Sequence, residues 1–259
     1  MTRFSYYRRC VIGVALLAAA LLFVSCAPKA AKPVGEMDTP EHHFFTGMKL
    51  LDQARYPAAQ AEFDRAIQLA PAYSRAYAGL GLVQAYQGDF LNAFKQLEKA
   101  WDEAKTKDEQ VFIHVGYIRV NTLSKAACAK IGTDCEQDAG WLDKTKDEFE
   151  KAIALDPQSS AAYYYMGLAY KTALNFGRAG QMFAKVMDIR GDLMNEADVQ
   201  WKLCQDIQRA MPGTITGKKI ALVEKISRAD AAALFMEEMK IDVVYKKRTI
   251  KTFDTAFKD

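Results

Sequence analysis

A glycine set inside an apolar, aromatic-rich run returns along this 259-residue chain, at Gly47, Gly81, Gly116 and Gly167. The first two intervals are 34 and 35 residues. Small and bulky apolar residues follow at matching distances: Ala59, Phe63 and Ala66 after Gly47, Ala93, Leu97 and Ala100 after Gly81, and Ala179 and Phe183 after Gly167. A small residue at a fixed offset lets two helices approach closely, and a proline such as Pro71 behind the second helix stops it. Helical hairpins of this kind bury a continuous core only by stacking, which takes about three of them.

These residues resemble the tetratricopeptide repeat, a stacked antiparallel helix pair of about 34 residues. The resemblance implies an all-α solenoid of helical hairpins followed by a small C-terminal helical module; the plainer alternative is an irregular helical bundle. Repeat one spans 40–73 and repeat two 74–107, where Tyr77 and Leu80 add to the pattern and Lys105 replaces the closing proline. In repeat three the first helix starts near Glu109 and carries Phe112 and Gly116, but Phe149, Ala152 and Pro157 come late. Glycine to phenylalanine is 16 residues in repeats one and four and 33 here, which predicts a 17-residue insertion between the two helices, at about 124–140. Repeat four, 160–193, restores the pattern with Tyr163, Gly167 and Tyr170, so 41–193 holds four repeats. The segment 194–212 is expected to cap the open end, with Trp201, Cys204 and Ile207 on one side, before Pro212 and Gly213 end it.

The N-terminus carries a second signal. Arg3, Arg8 and Arg9 precede an uncharged run from Val11 to Val24 that ends in Phe23-Val24-Ser25-Cys26. Fourteen apolar residues are too few to span a bilayer about 30 Å thick as a helix, but suit a signal-peptide core. Small residues before a cysteine resemble the bacterial lipobox, which implies a signal peptide over 1–25 and Cys26 as the lipidated first residue; plain secretion and an uncleaved anchor are the alternatives. Ala at position 27, where an Asp retains lipoproteins at the inner membrane, implies an outer-membrane lipoprotein facing the periplasm. Residues 26–40, rich in proline, read as a tether. The chain has 35 basic and 32 acidic residues, and 1–25 contains three arginines and no acid, so the remainder is balanced at 32 of each. A neutral body lacks the footprint of a nucleic-acid binder and leaves membrane attachment to the acyl chains.

Catalytic constellations are thin. The histidines are His42, His43 and His114; neighbours on a helix do not face one another, and His114 sits among apolar residues. No phosphate-cradling glycine loop, nucleophile elbow or metal-spaced cluster is present, so no enzyme, cofactor or metal is expected. Cys128 and Cys135 enclose Ala-Lys-Ile-Gly-Thr-Asp in the insertion and are candidates for a disulfide worth about 2.5 kcal/mol, with free thiols the main alternative. Cys204 reads as a buried core thiol.

The expected activity is docking. In the repeat family, positions five, nine and thirteen line a groove, which assigns Phe44 and Met48 in repeat one, Leu82 and Tyr86 in two, Tyr117 and Asn121 in three, and Tyr164 and Leu168 in four. The Lys and Asn that clamp a peptide carboxylate in some members are missing, so an apolar peptide or amphipathic helix fits this lining better. In the C-terminal segment, 213–259, Ser227 and Asp230 form a capping-box pattern. The same run resembles the Thr-Arg-Ala-Glu motif of S-layer homology modules, which implies glycan binding by Ser227, Arg228 and Asp230; a well-capped helix explains it equally simply. Two functions follow: a lipid-anchored, non-enzymatic scaffold that recruits a protein, of the sort that helps assemble envelope machinery such as pili or secretins, or an attachment protein that grips peptidoglycan or surface polysaccharide.

Overall fold

The computed structural model describes residues 30–131, 140–241 and 243. The described residues form eleven α-helices and no strand. Four hairpins come first: α1 (Pro40–Asp52) with α2 (Tyr56–Leu69), α3 (Ser74–Tyr86) with α4 (Phe90–Glu103), α5 (Lys107–Ile131) with α6 (Trp141–Leu155), and α7 (Ser160–Thr172) with α8 (Phe176–Ile189). Then follow α9 (Met194–Ala210), α10 (Ile215–Ile220) and α11 (Arg228–Glu237).

Local chemistry sets the helix ends. Thr39, Asp89, Ser159 and Asn175 each accept a backbone N–H with the side chain at an N-terminus, satisfying a donor the helix leaves open. Three hairpins turn through one left-handed residue at the same point: Ala54, Gly88 and Leu174, with φ of 56°, 89° and 57°.

The recurring glycines pack where helices cross. A Cβ on Gly47 would lie 2.7 Å from the Phe63 ring, and one on Gly79 would lie 2.5 Å from the same ring. Phe63 is thus held between its own hairpin and the next. Gly167 receives Phe183 in the same way, at 2.6 Å. Gly81 faces the carbonyl of Ala93, its own hairpin partner, at 2.9 Å. Gly116 differs, because its Cβ would meet Leu97 of the preceding hairpin at 2.8 Å. That is the role of Gly79, so the residue matching Gly81 in the third hairpin is Ile118, two places further on. The register taken from Gly116 is displaced by two residues, which also removes two of the seventeen assigned to the insertion.

The insertion itself begins as helix: α5 runs 25 residues, to Ile131. Leu123 to Ile131 is rich in Ala and Lys and meets no Gly or Pro until Gly132, so nothing in it stops the helix. Buried clusters run the length of the stack. Phe63, Leu97 and Ile113 belong to the first, Val111, Val115, Ala152 and Ala162 to a bridge, and Met166, Phe183 and Cys204 to the last. Helix α9 covers the open side of the fourth hairpin with Ala197, Cys204 and Ile207.

Residues 30–39, within the expected tether, lie against the first hairpin. Ala31 N–H donates to the Gln68 carbonyl at 2.6 Å. The Asp38 carboxylate receives Arg65 and, at 2.8 Å, His43, while the other His43 nitrogen faces Glu62. At the far end the Glu238 carboxylate accepts from the backbone of Gly213 and Thr214 and from the Thr214 hydroxyl, tying α11 to the start of α10. No residue of α11 is buried. No described helix is long and apolar enough to cross a membrane.

Candidate functional site

The first helices of all four hairpins line one side of the stack and enclose an open cavity of about 720 Å³. Its wall is mixed: Met48, Phe112 and Leu193 are apolar, while Asp52, Asp108 and Glu196 stand exposed at the rim. A row of π-systems crosses it. Tyr56 stacks on Tyr86 at 5.7 Å between centroids. Tyr86 then accepts a hydrogen bond from Arg119 Nη2 at 3.2 Å, and the Arg119 guanidinium lies 4.4 Å from the Tyr165 centroid. Tyr165 meets Tyr164 edge to face at 5.2 Å, and Tyr164 packs on Phe183 at 5.8 Å.

Of the residues assigned to the groove from sequence, Met48, Tyr86 and Tyr164 line this cavity. Phe44 and Leu82 are buried beneath it as core, 3% and 1% exposed. Leu168 is half-buried against the cluster around Met166 and Phe183. Tyr117 is on another face. It stacks with Phe94 and borders a second hollow with Trp101, His114, Glu148 and Lys151. Asn121, one turn on from Tyr117, is half-buried. The two-residue displacement explains the separation. Asp108, Phe112, Val115 and Arg119 share the stripe that meets the cavity, whereas Gln110, His114 and Tyr117 share the next one round the helix. Arg119 occupies in the third hairpin the position that Leu82 occupies in the second, so sequence reasoning missed it, together with its neighbours Tyr56 and Tyr165.

The second hollow explains His114. The ring is buried, its Nδ1 lies 2.7 Å from Glu148, and Trp101 covers it at 4.9 Å. Burial acts to raise the Glu148 pKa, but His114 and Lys151 outweigh it and hold the carboxyl below the usual range. Burial and the neighbouring Glu98 and Glu148 push the Tyr117 hydroxyl up to about 12. In the main cavity burial raises the Tyr165 hydroxyl, with Arg119 opposing, so at neutral pH it keeps a proton to donate. No group of three or more potential metal ligands is found among the described residues.

The other assigned residues fall elsewhere. Cys26 and Cys135 lie outside the described residues. Cys128, near the end of α5, is disulfide-bonded, whereas Cys204 is a free, buried thiol. Ser227 and Asp230 form a capping box: Ser227 Oγ accepts from the Asp230 N–H at 3.2 Å, and the Asp230 carboxylate accepts from the Ser227 N–H at 2.8 Å. Arg228 is exposed at the first turn of α11.

No protein-family model and no curated protein matches the chain. Solved structures do. The chain is similar to TTC0263, a thermophilic tetratricopeptide-repeat protein of Thermus thermophilus, with a TM-score of 0.52 and 17% identity over 80% of this chain and 96% of that one. It also aligns with YrrB, described as a tetratricopeptide-repeat protein with an unusual peptide-binding site, at TM-score 0.28 and 19% identity over 61% and 90%. MamA aligns at TM-score 0.34 and 16% identity over 85% and 98%. The first of these shares the fold: the chain is an all-helical solenoid of the tetratricopeptide-repeat type, with α9 to α11 appended.

Proposed function

We propose that the chain is a non-catalytic docking scaffold that holds a segment of a partner protein on its concave face. The observation that carries this reading is the open cavity bounded by all four first helices, where tyrosines and apolar side chains stand ready for contact while the core beneath is already complete. Aromatic side chains give large contact area at low entropic cost, which suits recognition. The test is capture from cell-envelope extract with the full chain and with a Tyr86→Ala/Tyr164→Ala variant whose helicity matches the wild type. A partner recovered equally by both would remove this cavity as the docking surface.

The scaffold is proposed to be fixed to an outer membrane, on the periplasmic side, through lipid on Cys26. Support comes from the arginines, the short apolar run and the small residues before that cysteine. A disulfide between Cys128 and Cys135 fits an oxidising compartment and is supported by the bonded state of Cys128 beside a free Cys204. Intact-mass analysis of protein from membranes tests both: the expected species lacks residues 1–25, carries acyl mass on Cys26 and gains two hydrogens on reduction. For glycan attachment the C-terminal run offers chiefly Arg228, since Ser227 and Asp230 are engaged in capping α11. Failure of both wild type and Arg228→Ala to sediment with peptidoglycan would set that alternative aside, and equal sedimentation of the two would remove Arg228 from it.

A further inference from the structure

Arg119 is the anomaly of the concave face. It is 6% exposed, yet among the described residues no carboxylate comes within ion-pair distance of it. Its Nε–H is buried and has no hydrogen-bond partner. One bond, to the Tyr86 hydroxyl, and the faces of Tyr86 and Tyr165 are its direct contacts, with the Asp52 charge acting on it from beyond ion-pair distance. A guanidinium carries five donors and never loses its charge in proteins, and burying a charge without compensation costs several kcal/mol. Leu82 fills the equivalent place in the second hairpin, so a cation is not a packing requirement of the fold.

The geometry points to Arg119 as the receptor for a carboxylate on the docked segment, an internal Asp or Glu side chain flanked by basic residues. This rests on the docking reading above and names the chemistry of its partner. The guanidinium and the Tyr165 hydroxyl offer donors at the floor of the cavity, where a charge-assisted hydrogen bond is strong. The rim selects the rest. Asp52, Asp108, Asp192 and Glu196 line the same cavity against Arg75 and Arg119 alone, so it is net negative. Such a rim repels a phosphate dianion, tolerates one carboxylate that reaches the floor, and attracts Lys or Arg on either side of it. The cavity also continues past Arg119 in both directions, to Met48 and Tyr56 on one side and Leu193 and Glu196 on the other. The bound segment therefore runs through, with a side chain and not a chain end over the arginine.

The test passes a random nonapeptide library, acetylated and amidated, over the immobilised full chain and sequences the retained pool. The expected pool is enriched about tenfold in a single Asp or Glu with neighbouring Lys or Arg, and Arg119→Gln loses that enrichment while still retaining apolar peptides. The Arg119 Nε–Hε resonance is also expected to shift when a selected peptide is added. Arg119→Lys, which keeps the charge but not the fork, and Tyr86→Phe provide folded comparisons if Arg119→Gln does not fold; each is expected to weaken the enrichment. A retained pool with no acidic preference, or with one unchanged in the variants, overturns the carboxylate assignment and leaves the docking face standing. A preference for free C-termini in an unblocked library overturns the run-through geometry. Failure of the wild type to retain any peptide above a blank matrix takes down the docking reading and this inference together.

Discussion

At Gly47 the absence of a single methyl decides how closely two hairpins approach. A Cβ there would sit 2.7 Å from Phe63, a ring already packed against Gly79 of the next hairpin, whose own Cβ would lie 2.5 Å from it. Overpacking of this kind costs about 2 kcal/mol. Gly47→Ala is therefore expected to lower the urea midpoint by the equivalent of that amount without changing the slope, and Phe63→Leu in the same chain to recover part of it. Gly88 makes the opposite comparison: no atom lies within 4 Å of its would-be Cβ, and its demand is on φ alone. Arg119 shows how far one position can depart from its repeat, since a cation stands where the second hairpin has leucine. Residue identity at such a place reports on what the surface meets, not on what the stack needs.

At the scale of the helix, much was written in the sequence in a form that periodicity can read. Phe63, Leu97 and Phe183 each follow a glycine by 16 residues and each is buried, so three hairpins were legible. The third was legible only in outline. Its Gly116 fits the glycine pattern, but it packs on Leu97 behind it and so holds a different station. A two-residue displacement on a helix turns side chains about 200° away, which is why the glycine pattern points to Tyr117 and Asn121 and not to Arg119. The conformation of the insertion is not written in its length: residues 124–131 lie past the repeat pattern, and helix propensity continues where the pattern stops. The hairpin turns carried a subtler signal. The three left-handed residues stand fifteenth from the start of their hairpins, as Ala54, Gly88 and Leu174, and only one is glycine. A left-handed non-glycine residue costs about 1 kcal/mol. Ala54→Gly is expected to stabilise the chain by up to about that much and Gly88→Ala to destabilise it similarly, read from thermal unfolding. Leu174→Gly should gain little, because Leu174 also packs against the last cluster.

Across the whole molecule, residues 30–39 form a strap bonded to the first hairpin at Ala31 and at Asp38, which meets His43 and Arg65. The two His43 nitrogens face two carboxylates, Glu62 and Asp38, so the ring satisfies both by donating from both, as imidazolium. Burial alone would lower its pKa, but the bonds to Glu62 and Asp38 outweigh it and leave it above the ordinary histidine value. Asp38 moves the other way: the bond from Arg65 first, then the Val34 N–H and His43, hold its carboxyl well below the usual range. The signs fix the window. A raised histidine pKa adds stability that is complete below about pH 6.5 and fades as pH climbs through the folded value, whereas a depressed aspartate pKa adds stability above about pH 4 that is lost as pH falls through its own. The strap is therefore tightest between those limits and loosens toward alkaline pH, with the Arg65 to Asp38 pair remaining. With Ala31 tied to Gln68, a lipid on Cys26 would leave four residues of slack, at most about 15 Å, and hold the first hairpin close to the bilayer. The readout is hydrogen exchange at the Ala31 amide, corrected for intrinsic rate. Protection is expected to drop between pH 6 and 8.5 in the wild type and to be low and flat in His43→Gln; a wild-type profile as flat as the variant's would show that this cluster does not hold the strap.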